Sequence, residues 1–344
     1  MEIRTLRRAE REPWLGLLDH WDVGDGWRGE AFFRRYLEDD PTFADHQVWV
    51  AAEGADLLSC VQIFPRPLQT ASGAVPLGGI GTVFTRPDVR GRGLAGALLT
   101  RAAEDMAARG ACASMLFTGR VPWYTKLGWH SWGLQRVWLE RAAEPPSPRR
   151  TFDLAPFDCA LDLPSVRALH EAYSSLLPGT VVRDDALWEA SLRNAGNPNE
   201  EFTVVRVGGE CVAYLRAVVL SNVLVLSEFG SAPGFEEALA YAVRALMQPR
   251  DPDPMATGTK PSEELRRVAS TVSLHFAPDL AAELLRSGIT LGEHADPSCM
   301  LRCLDAPALG ARIGLTPRED EPPADFLRRA LPPEDFTFWA ADRF

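Results

Sequence analysis

Seven consecutive residues, Arg90-Gly91-Arg92-Gly93-Leu94-Ala95-Gly96, concentrate the types that hold an anion: three glycines and two arginines, set just before residues of helical spacing. The first backbone N–H groups of a helix have no intrahelical partner and sit at the positive end of its dipole, so a helix that starts on glycines can hold a pyrophosphate through its backbone. Gly91 and Gly93 let such a ligand approach closely, and Arg90 and Arg92 add charge with the fork geometry that suits phosphate. Two common nucleotide motifs are excluded. There is no Gly-x-x-x-x-Gly-Lys-Ser/Thr here, and the spacing is not Gly-x-Gly-x-x-Gly with an acidic residue about 20 positions on.

The elements that position these residues follow from local pattern. A β-branched and aromatic run ends at Val83-Phe84-Thr85, Pro87-Asp88 makes a turn, and Leu94, Ala97, Leu98, Ala102 and Met106 fall at helical spacing. Upstream, the pattern predicts a strand near Ile3–Leu6, helices through Trp14–Trp21 and Glu30–Leu37 separated by Gly24-Asp25-Gly26, and a meander of Val48–Ala52, Asp56–Phe64 and Val75–Phe84. Downstream comes a short strand from Ala113 to Phe117. The charged, Pro-rich stretch Arg141–Arg150 reads as a linker.

Beyond the linker the pattern repeats in part: Phe202–Tyr214 parallels Gln47–Ile63, and Asn222–Phe229 parallels the strand before the cradle. At the equivalent helix start stands Ser231-Ala232-Pro233-Gly234-Phe235-Glu236-Glu237, with no arginine and two carboxylates that repel a phosphate. The repeat is therefore expected to be a degenerate copy that binds no cofactor. The last portion predicts a strand Thr271–Phe276, a helix Leu280–Leu285, a strand Met300–Leu304 and a helix from Pro307. The end, Phe336-Thr337-Phe338-Trp339-Ala340-Ala341-Asp342-Arg343-Phe344, is apolar enough that docking explains it better than fraying.

At 344 residues the chain is long enough for two or three domains, and 46% apolar residues supply their cores. A net charge of −11 argues against nucleic acid or an anionic membrane as the partner. It suits a cationic substrate, or simply serves solubility. The six cysteines read as small core residues, and although Cys299 and Cys303 are four apart, none of the six histidines stands at a zinc-ligand spacing, so no metal is expected. The opening residues lack a signal-peptide core and no run of about 18 apolar residues occurs, which leads us to expect a soluble, cytoplasmic protein.

Arg90-Gly91-Arg92-Gly93-Leu94-Ala95 resembles the Arg/Gln-x-x-Gly-x-Gly/Ala signature of the GNAT superfamily of acyl-CoA N-acyltransferases, and Tyr124-Thr125-Lys126-Leu127-Gly128-Trp129 resembles its second motif. The order of an active unit, a degenerate one and a terminal segment is similar to the enhanced-intracellular-survival (Eis) type, as are the landmarks Leu177-Pro178-Gly179, Arg183, Trp188 and Met300–Asp305. The resemblance implies an α+β (α/β) protein of tandem GNAT folds: a catalytic unit 1–143, a degenerate unit 151–294 and a short C-terminal segment 295–344. It also implies acetyl-CoA as co-substrate, a small cationic amine such as an aminoglycoside or polyamine as acceptor, and a homo-oligomer. The terminal segment is shorter than the third domain of that type, and Arg343 stands where an acidic residue is expected.

Acetyl transfer to an amine needs a base, oxyanion stabilisation and a proton for the leaving thiolate. By resemblance, Tyr124 is the general acid, the α-carboxylate of Phe344 the base, and a backbone N–H from Val83, Phe84 or Thr85 the oxyanion donor. The strand Val75–Phe84 carries no Asp, Glu or His that could serve instead. His130 is an alternative base ranked below the terminus. A terminal carboxylate, ordinarily at about 3.3–3.7, needs desolvation or a relaying water to accept a proton usefully. Asp19, Asp22, Asp25, Glu30, Asp39 and Asp40 form either an attractive surface for a polyamine or a solvated helix face. Two other readings stay open, a peptide or protein N-acetyltransferase and a non-catalytic acyl-CoA sensor.

Overall fold

A computed structural model of the chain describes residues 1–22, 28–141, 147–194, 200–220, 223–247, 268–270 and 278–343. In chain order its elements are β1 (Glu2–Thr5), α1 (Arg11–Leu18), α2 (Gly29–Glu38), β2 (Val48–Glu53), β3 (Asp56–Thr70), β4 (Gly73–Thr85), α3 (Leu94–Ala108), β5 (Ala113–Phe117), α4 (Val121–Thr125), β6 (His130–Ser131) and β7 (Leu134–Arg141). There follow β8 (Asp153–Pro156), α5 (Cys159–Ser174), α6 (Asp185–Asn194), β9 (Glu200–Val207), β10 (Glu210–Leu220), β11 (Val223–Ser231), α7 (Glu236–Leu246), β12 (Val268–Ser270), α8 (Pro278–Arg286), β13 (Ile289–Asp296), β14 (Cys299–Cys303), α9 (Ala306–Ile313) and α10 (Pro323–Ala330).

These elements form two mixed seven-stranded sheets flanked by helices. The first runs β1-β2-β3-β4-β5-β14-β6 and the second, in matching order, β8-β9-β10-β11-β12-β7-β13. Each sheet thus takes its sixth strand from the other end of the chain. β14 pairs with β5 (Cys299 opposite Phe117) and with β6 (Met300 opposite Ser131), while β7 pairs with β12 and β13 (Ala269 opposite Trp138, Ile289 opposite Arg141). The two crossings lie side by side: Trp132 N–H donates to the Cys299 carbonyl at 2.8 Å, and Ser131 Oγ to that of Pro297 at 3.0 Å.

Side-chain alternation explains why the exchange is stable. Met300 turns into the α3 side of the first sheet beside Leu98 and Leu116, and its neighbours Cys299 and Leu301 turn to the other side, against Phe326 and Leu327 of α10. Val137 and Leu139 of β7 are buried in the second core with Leu224 and Leu239. α1 and α2 cover the first sheet opposite α3, packing Trp14, Leu18 and Phe33 on Val48, Cys60 and Phe84.

The aromatic tail is docked and straddles both cores. Phe336 and Phe338 join the first sheet's layer with α10, whereas Trp339 is fully buried in the second and donates Nε1–H to Ser174 Oγ at 3.0 Å. The expectation of uniformly core-like cysteines needs correcting: Cys60, Cys112 and Cys299 are buried, but Cys159 is exposed, because it is the first residue of α5 and lies outside the sheets. The Gly24-Asp25-Gly26 break, Asn222 and the strand expected at Thr271–Phe276 lie outside the described residues.

Candidate active site

β4 and β5 pair in parallel only at Leu77–Ala113, Gly78–Ser114 and Gly79–Met115. Beyond that point they diverge, so the backbone groups of β4 from Ile80 to Thr85 that point toward β5 have no ladder partner. A β-bulge sharpens the divergence. The β3–β4 register shifts between Cys60 and Gln62, and Thr82 takes φ +51°, a left-handed conformation uncommon for a β-branched residue. Buried polar contacts hold it there: Thr82 Oγ1 donates to Gln62 Oε1 at 3.1 Å, and Ser59 Oγ to the Phe84 carbonyl at 2.8 Å. Val83 faces α3 while Phe84 packs under α1 and α2.

From the mouth of this opening a short turn leads to the cradle. Gly91 (φ +85°) and Gly93 (φ +78°) both adopt the left-handed backbone that favours glycine, and Gly93 is the N-cap of α3. The first amide of the helix paired to a carbonyl in front of it is Ala97 N–H on Gly93 O at 3.1 Å, so the N–H groups of Leu94, Ala95 and Gly96 have no intrahelical partner. An added Cβ at Gly91 or Gly93 would meet nothing within 4 Å, so the space in front of both stays open. Arg90 Nε donates to the Thr85 carbonyl at 3.1 Å, and Arg92 pairs with Glu53 at 2.6 Å, half exposed on the rim.

Tyr124 belongs to the same apolar cluster as the cradle's Leu94, with Ile80, Leu116 and Trp129. Its ring stands edge-on to Trp123 at 4.6 Å between centroids, and burial pushes its phenol up to about 12. The loop after it folds back through Leu127 N–H and Trp129 N–H, both donating to the Tyr124 carbonyl at 2.9 and 3.2 Å. Arg302 of β14 clamps this loop from the next strand, donating to the Leu127 carbonyl at 3.0 Å and lying 4.9 Å from the Trp129 ring centre. The Gly96 Cα faces Leu127, whose Cδ2 an added Cβ would meet at 3.9 Å. Cradle, opening and Tyr124 are therefore contiguous.

The chain end approaches the opening from the opposite side of the sheet. Phe117, the last residue of β5 and two beyond its last pair with β4, lies 5.5 Å from Phe338 and carries the Arg343 guanidinium 4.4 Å from its ring centre. The predicted base, Phe344, lies outside the described residues. What holds the tail was missed in the sequence apart from its landmarks. Arg183 is buried, ion-paired to Glu228 and, at 2.8 Å, to Asp342, and it stacks on Trp188 at 4.7 Å. Gly179 (φ +96°) lies where any Cβ would be 2.6 Å from the Thr337 carbonyl, and Thr337 N–H donates to Pro178 O at 2.8 Å. The Pro-Gly, Arg and Trp landmarks are thus the seat of the tail.

Most of the acidic residues expected near the acceptor side are already neutralised. Asp40 pairs with Arg66 at 2.6 Å, Asp19 with Arg28 at 2.5 Å, Glu30 with Arg34 at 2.8 Å and Asp39 with Arg193 at 3.9 Å. Asp25 lies outside the described residues. In the second unit the start of α7 is filled by its own carboxylates: Glu236 accepts from Gly234 N–H at 3.1 Å, and Glu237 pairs with Arg149 at 3.2 Å. A cavity of about 420 Å³ beside α7 and α8 includes none of the cradle residues. Among the described residues no cluster of His, Cys, Asp and Glu could hold a metal, and no helix is long and apolar enough to cross a membrane.

Residues 2–131 match the family model of the acetyltransferase (GNAT) domain. No curated protein matches the chain. Among solved structures, a probable N-acyltransferase from Enterococcus faecalis V583 superposes with a TM-score of 0.66 at 15% identity, covering 89% of this chain and 73% of that one. A GCN5-related N-acetyltransferase from Kribbella flavida gives 0.61 at 20% identity (90% and 73% covered), and Eis1 from Mycobacterium abscessus 0.59 at 17% (90% and 75%). The fold is that of the GNAT acyltransferases over nearly the whole chain, and within it residues 2–131 resemble the acetyltransferase (GNAT) domain.

Proposed function

We propose that the chain is a cytoplasmic N-acetyltransferase that moves an acetyl group from acetyl-CoA to a primary amine of a small acceptor by direct transfer. The observation that carries this reading is the meeting, at one end of β4, of an opened strand pair, a glycine-led helix start and a buried tyrosine. The residues fit the co-substrate. Arg90 and Arg92 with the N–H groups of Gly91, Gly93, Leu94, Ala95 and Gly96 hold its pyrophosphate, and the unpaired edge of β4 takes the pantetheine arm. Bound there, acetyl-CoA supplies the acetyl group as a thioester.

The chain's residues then do the rest. An N–H from Val83, Phe84 or Thr85 holds the carbonyl oxygen as the amine nitrogen bonds to the carbonyl carbon and the C–S bond breaks. Tyr124, kept protonated by its buried setting, gives its proton to the departing sulfur. The Phe344 carboxylate takes the proton that the amine loses. With Asp19, Glu30, Asp39 and Asp40 paired to arginines, the α1–α2 surface offers little charge for a polycation. The α7 helix start, filled by its own acids, holds no second co-substrate.

The test is acetyl-CoA-dependent thiol release over a panel of amines, amino acids and basic peptides, with wild type and a variant carrying one glycine after Phe344. Turnover that collapses in the extended variant supports the terminal base, and turnover that survives discards it. Tight acetyl-CoA binding with no release on any amine overturns the enzyme reading in favour of a sensor.

A further inference from the structure

Among the described residues Arg343 is a cation with no ion-paired anion. Its Nε is buried and lacks a hydrogen-bond partner, and among the described residues no carboxylate forms an ion pair with it. Its contact is the face of Phe117, at 4.4 Å, which stabilises a guanidinium far less than a carboxylate does. The nearby charges are already matched to each other. Asp296 is engaged by Arg136 and by Ser298, whose N–H and Oγ–H donate to it at 2.9 and 2.8 Å. The Arg136–Asp296 pair therefore leaves the single positive charge of Arg343 uncompensated, and burial lowers its pKa to about 10.

The place matters as much as the charge. Phe117 terminates β5 on the side of the sheet away from α3, where the strands have opened and where Gly79 and Gly81 of β4 add no side chains. A half-buried guanidinium whose Nε is shut off from water without a partner is costly at such a point unless something anionic meets it. Resting on the transfer reading above, we propose that Arg343 binds the carboxylate of the acceptor, so that the substrate is an amino acid or a related amine bearing an acid group. An α-amino acid carries its amine one carbon from its carboxylate.

The test is steady-state kinetics at saturating acetyl-CoA on free α-amino acids and on their C-terminal amides, with wild type, Arg343→Gln and Arg343→Lys. Loss of a charge-assisted, bidentate contact is on the order of tenfold to a hundredfold in discrimination. We expect wild type to favour acid over amide in kcat/KM by at least about tenfold, mainly through KM, Arg343→Gln to bring that ratio near one, and Arg343→Lys to recover part of it. Equal use of acids and amides by wild type, or an unchanged ratio in Arg343→Gln, overturns the assignment while leaving acetyl transfer intact. Thiol release on no amine at all overturns both. Because the readout is a ratio within each variant, a uniform loss of activity does not change it, and recovery in Arg343→Lys separates the charge contact from a loosened tail.

Discussion

Replacing Arg183 by methionine separates what the tail contributes to stability from what it contributes to the site. Arg183 and Glu228 are almost wholly buried, and Asp342 is 8% exposed at its side chain. After the change Glu228 keeps three partners, Tyr214 Oη–H at 3.0 Å, His170 Nδ1 at 3.3 Å and Arg216 at 3.7 Å. Asp342 keeps none among the described residues, and its Oδ2 has none already. An ion pair broken in place costs about 3–5 kcal/mol. Releasing the whole tail would instead forfeit Phe336, Phe338 and Trp339, at about 1.5–3 kcal/mol each. The cheaper escape is to peel away only the residues after Trp339, which returns Asp342 to water. Global stability should therefore fall by about 1–3 kcal/mol, chiefly for the weakened Glu228 site. Amide exchange at 340–343 should rise sharply while that of Thr337 stays slow, and kcat/KM for acetyl transfer should drop about a hundredfold or more. A double-mutant cycle with Asp342→Asn should show coupling of about 0.5–3 kcal/mol. Unchanged exchange at 340–343, or kcat/KM within threefold of wild type, would refute the reasoning.

Four further outcomes are expected. Tyr124→Phe should lower kcat by about 10²–10⁴ with little change in acetyl-CoA affinity; in wild type the phenol's upward shift to about 12 means that Tyr124 causes no alkaline loss of rate below about pH 10, and any stability linked to it is complete below that value and drains as pH climbs toward 12. Gly93→Ala should cost about 1–2 kcal/mol for its left-handed φ of +78° and, by placing a methyl in the ligand's space, raise KM for acetyl-CoA about tenfold. Gly179→Ala should, unlike Arg183→Met, displace the tail at Thr337 itself, since its Cβ would press on the Thr337 carbonyl, and faster amide exchange at Thr337 is the check. Burial alone would push Glu228 up, but Arg183, His170 and Arg216 hold it well below the carboxylate range; its contribution is complete above about pH 4.3 and is lost only as pH falls through the depressed value, so exchange at 340–343 measured from pH 5 to 8 should show no Glu228 titration.

The cradle was legible because local rules suffice there. Glycine at a positive φ, a turn residue and helical spacing are properties of adjacent residues, and Gly91, Gly93 and α3 appear where they were read. The strand Ala113–Phe117 and the docked tail were likewise visible, one as an apolar run and the other as aromatics too numerous for a frayed end. The exchange of β7 and β14 was not. A strand's own pattern reports that one or both faces are buried, never against which sheet, and Leu134–Arg141 would alternate alike in either. The bulge at Thr82 was hidden for a related reason, since no glycine marks it and its support comes from Gln62 on the neighbouring strand. Charge pairing across elements, such as Asp40 with Arg66, is equally invisible, which is why the acids around α1 and α2 could be read from sequence either as an attractive surface for a polyamine or as a solvated helix face.

The strand exchange gives the degenerate unit a physical role that cofactor binding would not. Without β14 the first sheet would leave β5 and β6 unpaired at a buried edge, Tyr124's loop would lose the Arg302 clamp, and Leu116 would lose its contact with Met300. Without Arg183, Gly179 and Ser174 of the second unit, the tail would have no seat beside Phe117. The second unit is therefore the scaffold on which one strand and one wall of the proposed acceptor site are delivered to the first. This frees the start of α7 to keep carboxylates where a phosphate would otherwise have to bind, and Glu237 ties that helix to Arg149, at the end of the linker stretch, instead.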